Sequence, residues 1–313
     1  MPWASLDLDG RPKIGYVHDD AVRVAHDDRT MIELVAAGVR ARQDLQRELL
    51  NRPAAVIPVD EVTLAAPVPR PSAVRDALCF LDHMRGCMRA LGRSDELGPV
   101  WSEIPAFYFA NPAAVLGPRD DVAISPGSRW FDLELEVGVV IGTPGRDIKP
   151  ADAENHVAGY TFFNDWTARD LQVKDLELGL GQGKGKDSAI TLGPWLVTAE
   201  EVADQREGDR IDLRVAATVN GTTLAEGTTL DMDWTFAEVI AFASRGTVLS
   251  AGDVIGSGTL PGGCLLEHAT PETLADESHW LQVGDVVSLH GTQLGSTRQT
   301  VVAADPVHPL RQR

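Results

Sequence analysis

The sequence predicts an α+β protein rich in β-strands, with a small N-terminal α+β domain over residues 1–70 and a larger unit over 71–313. Three observations lead there. Beyond residue 72 the chain is a succession of short apolar runs cut by Gly, Pro and Asp, among them FYFANPAAVLGP, FDLELEVGVVIG, GYTFFND, GPWLVT and GDVVSLHG. Asn220-Gly221 stands between alternating runs, a strong short-range hairpin signal because both residues accept the positive φ of a tight two-residue turn. Segments with helical periodicity are few.

Taken in order, residues 12–24 (PKIGYVHDDAVRV) give two strands about an Asp19-Asp20 turn. Thr30 with Glu33 forms a capping box for one helix whose apolar stripe is Ile32, Leu34, Val35, Val39, Leu45 and Leu49. The stretch APVPRPS (66–72) then breaks regular structure, because proline removes donors and restricts its neighbours, and the domain boundary falls there. Within the β-rich part, MDWTFAEVIAFASRG (232–246) is the exception, a helix stopping at Gly246.

Charge narrows the function. With 28 basic and 46 acidic residues the formal balance is −18, which repels phosphate backbones, so nucleic acid is not an expected partner. An anionic substrate would need a local positive field, from a bound cation and a few placed Lys and Arg. No run of about 18 apolar residues is present to span a bilayer, so no membrane partner is expected either. No export signal opens the chain, and a cytoplasmic location is the expectation. Cys79, Cys87 and Cys264 show no C-x-x-C spacing and are expected to be ordinary buried thiols.

In FDLELEVGVVIG, strand alternation puts Phe131, Leu133, Leu135, Val137, Val139 and Ile141 on one face and Asp132, Glu134, Glu136, Gly138 and Val140 on the other. Carboxylates at i and i+2 stand about 7 Å apart and repel, a cost that a hard divalent cation reverses. The simpler alternative is an amphipathic strand with its polar face in water. In GYTFFNDWTARDLQ (159–172), a buried strand gives way at Asn164 and Asp165, good N-cap residues, to a helical turn that carries Asp165, Arg169 and Gln172 on one side. Asp165 could join a metal site and Arg169 could grip a substrate carboxylate, or the two could form an ordinary i, i+4 ion pair.

GLGQGKGKD (179–187) fits neither phosphate-loop nor dinucleotide spacing, so its glycines suggest a close-approaching backbone that brings Lys184 and Lys186 toward an anion, or else a solvated loop. His83, beside Asp82, is the histidine best placed to act as a base. Neither a G-x-S-x-G elbow nor H-E-x-x-H occurs.

From about residue 74 to 304 these blocks, in this order, resemble the fumarylacetoacetate hydrolase family: DLELEVGVVIG its E-x-E strand, NDWTARDLQ its N-D-x-[ST]-A-R-D-x-Q block, GKD followed by LGPWLVT its catalytic-lysine segment, and GDVIGSGTLPGG its G-D-V-I-x-[ST]-G-T turn. The resemblance implies a roll or sandwich of mixed β-sheets. It implies Glu134, Glu136 and Asp165 as ligands of Mg²⁺, alternatively Mn²⁺ or Ca²⁺, with Asp82 as a fourth, sometimes water-mediated, contact. Arg169, Gln172 and Thr259 match substrate-facing positions, and Lys186, in preference to Lys184, matches the active-site lysine.

The general base departs from the family pattern. Short relatives pair their histidine with a glutamate three residues later, where this chain has Gly86, and Glu267 instead matches the glutamate of longer relatives. His83 with Glu267 is therefore a hybrid pairing. Ala110 replaces a lysine common among relatives. The implied activity is hydrolysis of a C–C bond in a small oxo-acid or diketone through a chelated enolate, with residues 79–93 as a lid, in a homodimer. Decarboxylation, tautomerisation or isomerisation would use the same site, and a non-catalytic, metal-stabilised binding protein is the alternative from another class.

Overall fold

The computed structural model describes residues 2–179 and 181–310. Its backbone is a twelve-stranded mixed sheet packed against a five-stranded one, with five α-helices over the faces and ends, as a β-rich α+β chain should be. In chain order the strands that matter are β1 (Trp3–Leu8), β2 (Arg11–His18), β3 (Ala21–Val24), β4 (Ala55–Pro58), β5 (Val74–Ala77), β6 (Phe107–Ala110), β7 (Leu135–Ile141), β8 (Val157–Asp165), β9 (Ile190–Thr198), β10 (Arg214–Val219), β11 (Thr222–Thr228), β12 (Val254–Gly256), β13 (Val286–Gly291) and β14 (Gly295–Val302). The helices are α1 (Met31–Ala36), α2 (Gly38–Asn51), α3 (Leu81–Ala90), α4 (Arg169–Glu177) and α5 (Phe236–Ala243). The long sheet runs β4-β3-β2-β1-β9-β8-β7-β12-β5-β6, and the shorter one β11-β10-β13-β14 with Val122–Ala123 at its edge.

Both tight hairpins fall where turn chemistry places them. Asp19 and Asp20 have φ of 50° and 56° between β2 and β3, and Asn220 and Gly221 have 52° and 79° between β10 and β11. The Thr30–Glu33 capping box is present, but the single helix expected after it is two. Gly38, at φ 83°, redirects the chain, so Val39 is 43 % exposed and drops out of the buried stripe. Arg42 is buried in α2 instead, reaching Glu200 at 3.0 Å.

The expected alternation of β7 divides two cores. Leu135, Val137, Val139 and Ile141 pack with Val215, Leu289 and Ile240 between the two sheets. Val140, on the other face, packs with Leu34, Leu45 and Leu49 of α1 and α2 and with Trp3 and Tyr16. That second cluster runs across the boundary placed near residue 70, because β1 pairs with β9 and the N-terminal strands extend the central sheet. Among the described residues no helix is long and apolar enough to cross a membrane.

Candidate active site

Strand register gathers the acidic residues. Leu135 of β7 faces Asn164 of β8, which sets Glu134 beside Asp165. Gly138 of β7 faces Gly256 of β12, and Gly256 faces Asp76 of β5. Asp76, Glu134, Glu136 and Asp165 therefore meet at one end of the sheet, each less than 5 % exposed. One oxygen from each of Asp76, Glu134 and Glu136 lies within 4.8 Å of the others. Glycine makes this possible: a Cβ on residue 256 would stand 2.4 Å from Asp76 Oδ1 and 2.8 Å from Glu136 Oε2. The solvated-strand alternative for residues 131–141 is thus excluded by burial.

Cations compensate part of this charge. Lys186, buried, donates to Glu134 Oε2 and, at 2.6 Å, to Asp165 Oδ2, which also accepts from the Tyr108 hydroxyl. Lys184 is exposed and pairs with Asp187, so of the two lysines it is Lys186 that reaches the carboxylates. Arg169 Nη2 lies 2.8 Å from Glu134 Oε1 and 2.8 Å from Asp132 Oδ2. Burial would push Glu134 up, but Lys186 and Arg169 hold it down at about 2. Asp76 goes the other way, to about 7, through burial and the nearby Asp165, and Glu136 is pushed well up by burial and by Asp76. Burial also raises Asp165, against the pull of Lys186.

An all-oxygen group of this kind suits a hard divalent cation. A fit is supported by Asp165 Oδ1, a buried oxygen with no hydrogen-bond partner. Thr259 Oγ1 and the Gly258 amide donate to Glu136 at 3.3 and 3.1 Å and orient it.

Two expectations need correction. Asp82 is no part of this group: its side chain is 76 % exposed, in the first turn of α3, where an acid complements the helix dipole, and it pairs with Arg85. Asp76 stands in the acidic cluster instead. Second, Asp165 does not cap a helix. β8 runs through it, and α4 starts at Arg169 with Ala168 as an N-cap that has no side-chain bond. Arg169 consequently turns to Asp132 and Glu134, and only Nη1, 3.3 Å from Gln172 Oε1, is left for a substrate. The segment 79–93, expected as a lid, is for the most part the helix α3.

His83 lies on the buried face of α3, with Nδ1 2.7 Å from Glu267 Oε1 on the 3₁₀ turn Leu265–His268. Gly86 explains the hybrid pairing, since a Cβ there would come within 2.7 Å of Glu267 Oε2. Glu267 occupies the space that a side chain at 86 would need. Burial pushes His83 down, yet hydrogen bonds with Cys264 and Glu267 lift it to about 10. Asp132 ties this wall to the acidic floor: it binds Arg169 and accepts the amides of Leu265 and Leu266 at 2.7 and 3.1 Å. Floor and wall enclose a cavity of about 390 Å³, into which Asp76, His83, Glu134, Lys186 and Thr259 project beside apolar Met84, Met88, Leu91 and Leu176.

Residues 72–302 match the fumarylacetoacetate (FAA) hydrolase C-terminal family. The chain belongs to the fumarylacetoacetate hydrolase family. It is 34 % identical over 235 residues, 75 % of this chain and 70 % of the relative, to human oxaloacetate tautomerase FAHD2A, mitochondrial. To 2,4-didehydro-3-deoxy-L-rhamnonate hydrolase of Sphingomonas sp. strain SKA58 it is 36 % identical over 197 residues, 63 % of this chain and 65 % of the other. The fold matches fumarylacetoacetate hydrolase from Exiguobacterium antarcticum (TM-score 0.75, 27 % identity, 97 % of this chain and 100 % of that one). It also matches maleylpyruvate hydrolase from Sphingobium sp. SYK-6 in complex with manganese(II) and pyruvate (0.73, 23 %, 97 % and 100 %). This is a family of hydrolases, isomerases and tautomerases acting on small molecules, and the chain is one of its enzymes.

Proposed function

We propose that this enzyme is a divalent-metal-dependent hydrolase that cleaves a C–C bond in a small 1,3-dicarbonyl or acylpyruvate-type oxo-acid. The observation that carries this is the His83–Glu267 contact of 2.7 Å at the wall of a cavity lined by His83, Asp76 and Glu134, with Glu136 and Asp165 buried beside them. Hydrolysis needs a base for water as well as a sink for electrons, and the missing glutamate at Gly86 is replaced in space by Glu267. Mg²⁺, alternatively Mn²⁺ or Ca²⁺, held by Asp76, Glu134 and Glu136 with Asp165 Oδ1 beside them, would supply a Lewis acid for the substrate carbonyl and stabilise developing enolate charge.

The side chains do the rest. His83, oriented through Nδ1 by Glu267, takes a proton at Nε2 from the water that attacks the carbonyl. As the C–C bond breaks, its electron pair passes to the leaving enolate, which His83 can then protonate. Lys186 spends two of its three hydrogens on Glu134 and Asp165 and keeps one for a substrate oxygen. Gln172 and Arg169 Nη1 are the groups available to a substrate carboxylate, and the Met84, Met88 and Leu91 side accommodates an apolar tail. A homodimer in the cytoplasm belongs to the same proposal. Phe109, 68 % exposed on the edge strand β6, supports the dimer as an apolar surface that a second copy would cover.

Keto–enol tautomerisation is a second reading, favoured by the elevation of His83 to about 10. A ring that holds its proton at neutral pH is suited to protonating an enol carbon, whereas added positive charge on the floor would lower it toward the neutral form a base requires. Product analysis decides between them. Incubated with an acylpyruvate and Mg²⁺, a hydrolase releases pyruvate and a carboxylic acid. An enzyme that leaves acylpyruvates whole and speeds only the enol–keto exchange of oxaloacetate is a tautomerase.

A further inference from the structure

We propose that His83, Cys87 and Cys264 form a second cation site, separate from the carboxylate floor and selective for thiophilic divalent ions such as Zn²⁺ or Cd²⁺. A ring nitrogen of His83 and the two sulfurs lie within 4.8 Å of one another, and all three residues are buried. Cys87 Sγ stands 3.7 Å from His83 Nε2 and 3.8 Å from Nδ1. A tetrahedral zinc ion with ordinary bond lengths spaces its nitrogen and sulfur ligands roughly 3.5–3.8 Å apart, so the Cys87–His83 separation fits and the ring would turn to aim Nε2 at the ion.

The local sequence builds the site. His83 and Cys87 are one helical turn apart on α3, and Cys264 caps the 3₁₀ turn that packs on that helix. Glu267, bound at His83 Nδ1, leaves Nε2 for the ion, in the way carboxylates orient zinc-ligating histidines. Both His83 and Cys87 line the cavity, which supplies an entry path and room for a fourth ligand. The ligand types separate the two sites: sulfur and imidazole attract thiophilic ions, whereas the oxygen floor suits Mg²⁺. The thiol protons leave to solvent as the ion binds, so binding tightens as pH rises.

A filled site would occupy His83 Nε2 and stop it from exchanging protons; this consequence alone rests on the role proposed above for His83. The test is to titrate the reduced full-length chain with Cd²⁺ in excess Mg²⁺, following thiolate-to-cadmium absorption in the ultraviolet. The expected result is saturation at one ion per chain, affinity lowered by about ten-fold or more in Cys87→Ser and in Cys264→Ser, and no band in the double variant. No band in the wild type, or a full band in the double variant, overturns the site. Should the double variant not fold, X-ray absorption of the zinc-loaded wild type decides: two sulfur neighbours at about 2.3 Å sustain the proposal and an all-oxygen-and-nitrogen shell ends it. Binding that leaves turnover untouched keeps the site and removes His83 from the reaction.

Discussion

The floor and the wall of the cavity are held in different ways. Asp165, Glu136 and Asp76 sit on β8, β7 and β5 of the twelve-stranded sheet, with Glu134 just before β7, so hydrogen-bond register sets their spacing, and Lys186 and Arg169 balance part of their charge. The wall depends on one side-chain contact between residues 184 positions apart, on a short helix and a 3₁₀ turn, backed by a small cluster that includes Cys87, Cys264 and Trp280. A strand-borne group can lose one member and keep its shape. The dyad has less redundancy: beyond its contact with His83, Glu267 is held by the Gly262 amide at 3.0 Å and by Cys264 Sγ at 3.6 Å.

This contrast is sharpest in turnover. Glu136→Gln keeps the volume of a fully buried side chain but removes a charge from the cation-holding group, and it is expected to lower Mg²⁺-dependent turnover by about 10³-fold, a loss of several kcal/mol of transition-state stabilisation, with the circular dichroism spectrum unchanged. Turnover within a few-fold of wild type would take the acidic floor out of the chemistry. His83→Gln is expected to cost about 10²-fold in acylpyruvate hydrolysis, the range of a lost general base. Equal loss in Mg²⁺ affinity would show that floor and wall are one unit after all.

Gly86→Ala probes the wall without removing a charged group. In an exposed helix interior this change stabilises by up to about 1 kcal/mol. Here the new Cβ would stand 2.7 Å from Glu267 Oε2 and 3.1 Å from its Cγ, so the carboxylate must move and His83 with it. Turnover should fall by about 10-fold while the melting temperature changes little, since the displaced atoms belong to a side chain. An unchanged rate would mean that Glu267 reaches His83 equally well from elsewhere.

Legibility in the sequence follows the same division. Period-two alternation over residues 131–141 separates the two cores correctly, because a strand buried on both faces still points successive side chains in opposite directions. Both φ-positive hairpin turns and the Thr30 capping box are local chemistry and are equally plain. Asp76 was hidden: its place comes from a parallel pairing with Gly256, far away in the chain, and its one local signal is an acid inside the short buried strand VRDA. Asp82 is implied as a metal contact only by the resemblance, yet consecutive residues on a helix point about 100° apart, and Asp82 faces solvent while His83 faces the cavity. Glu267 was reachable by resemblance, but the reason it serves, the missing Cβ at Gly86, is a fact of space alone.

The smallest expected effect tests whether protons and the cation compete for the floor. Asp76 is held up at about 7, and Glu136 and Asp165 are raised as well, so the folded chain binds these protons more tightly than the unfolded one. Their contribution to stability is complete below the ordinary carboxylate pKa of about 4 and is lost as pH rises through the folded values, near 7 for Asp76. A divalent ion replaces those protons, and so it should stabilise most where they have gone. Saturating Mg²⁺, at about 100 times its dissociation constant, contributes about 2.7 kcal/mol. That is a rise of about 5 °C in melting temperature at pH near 8, shrinking toward zero at pH near 5. Asp76→Asn cannot ionise at that position, so it should flatten this pH dependence. An equal Mg²⁺ shift at both pH values would mean that the ion sits on oxygens other than those that hold the protons, and the floor would no longer be its site.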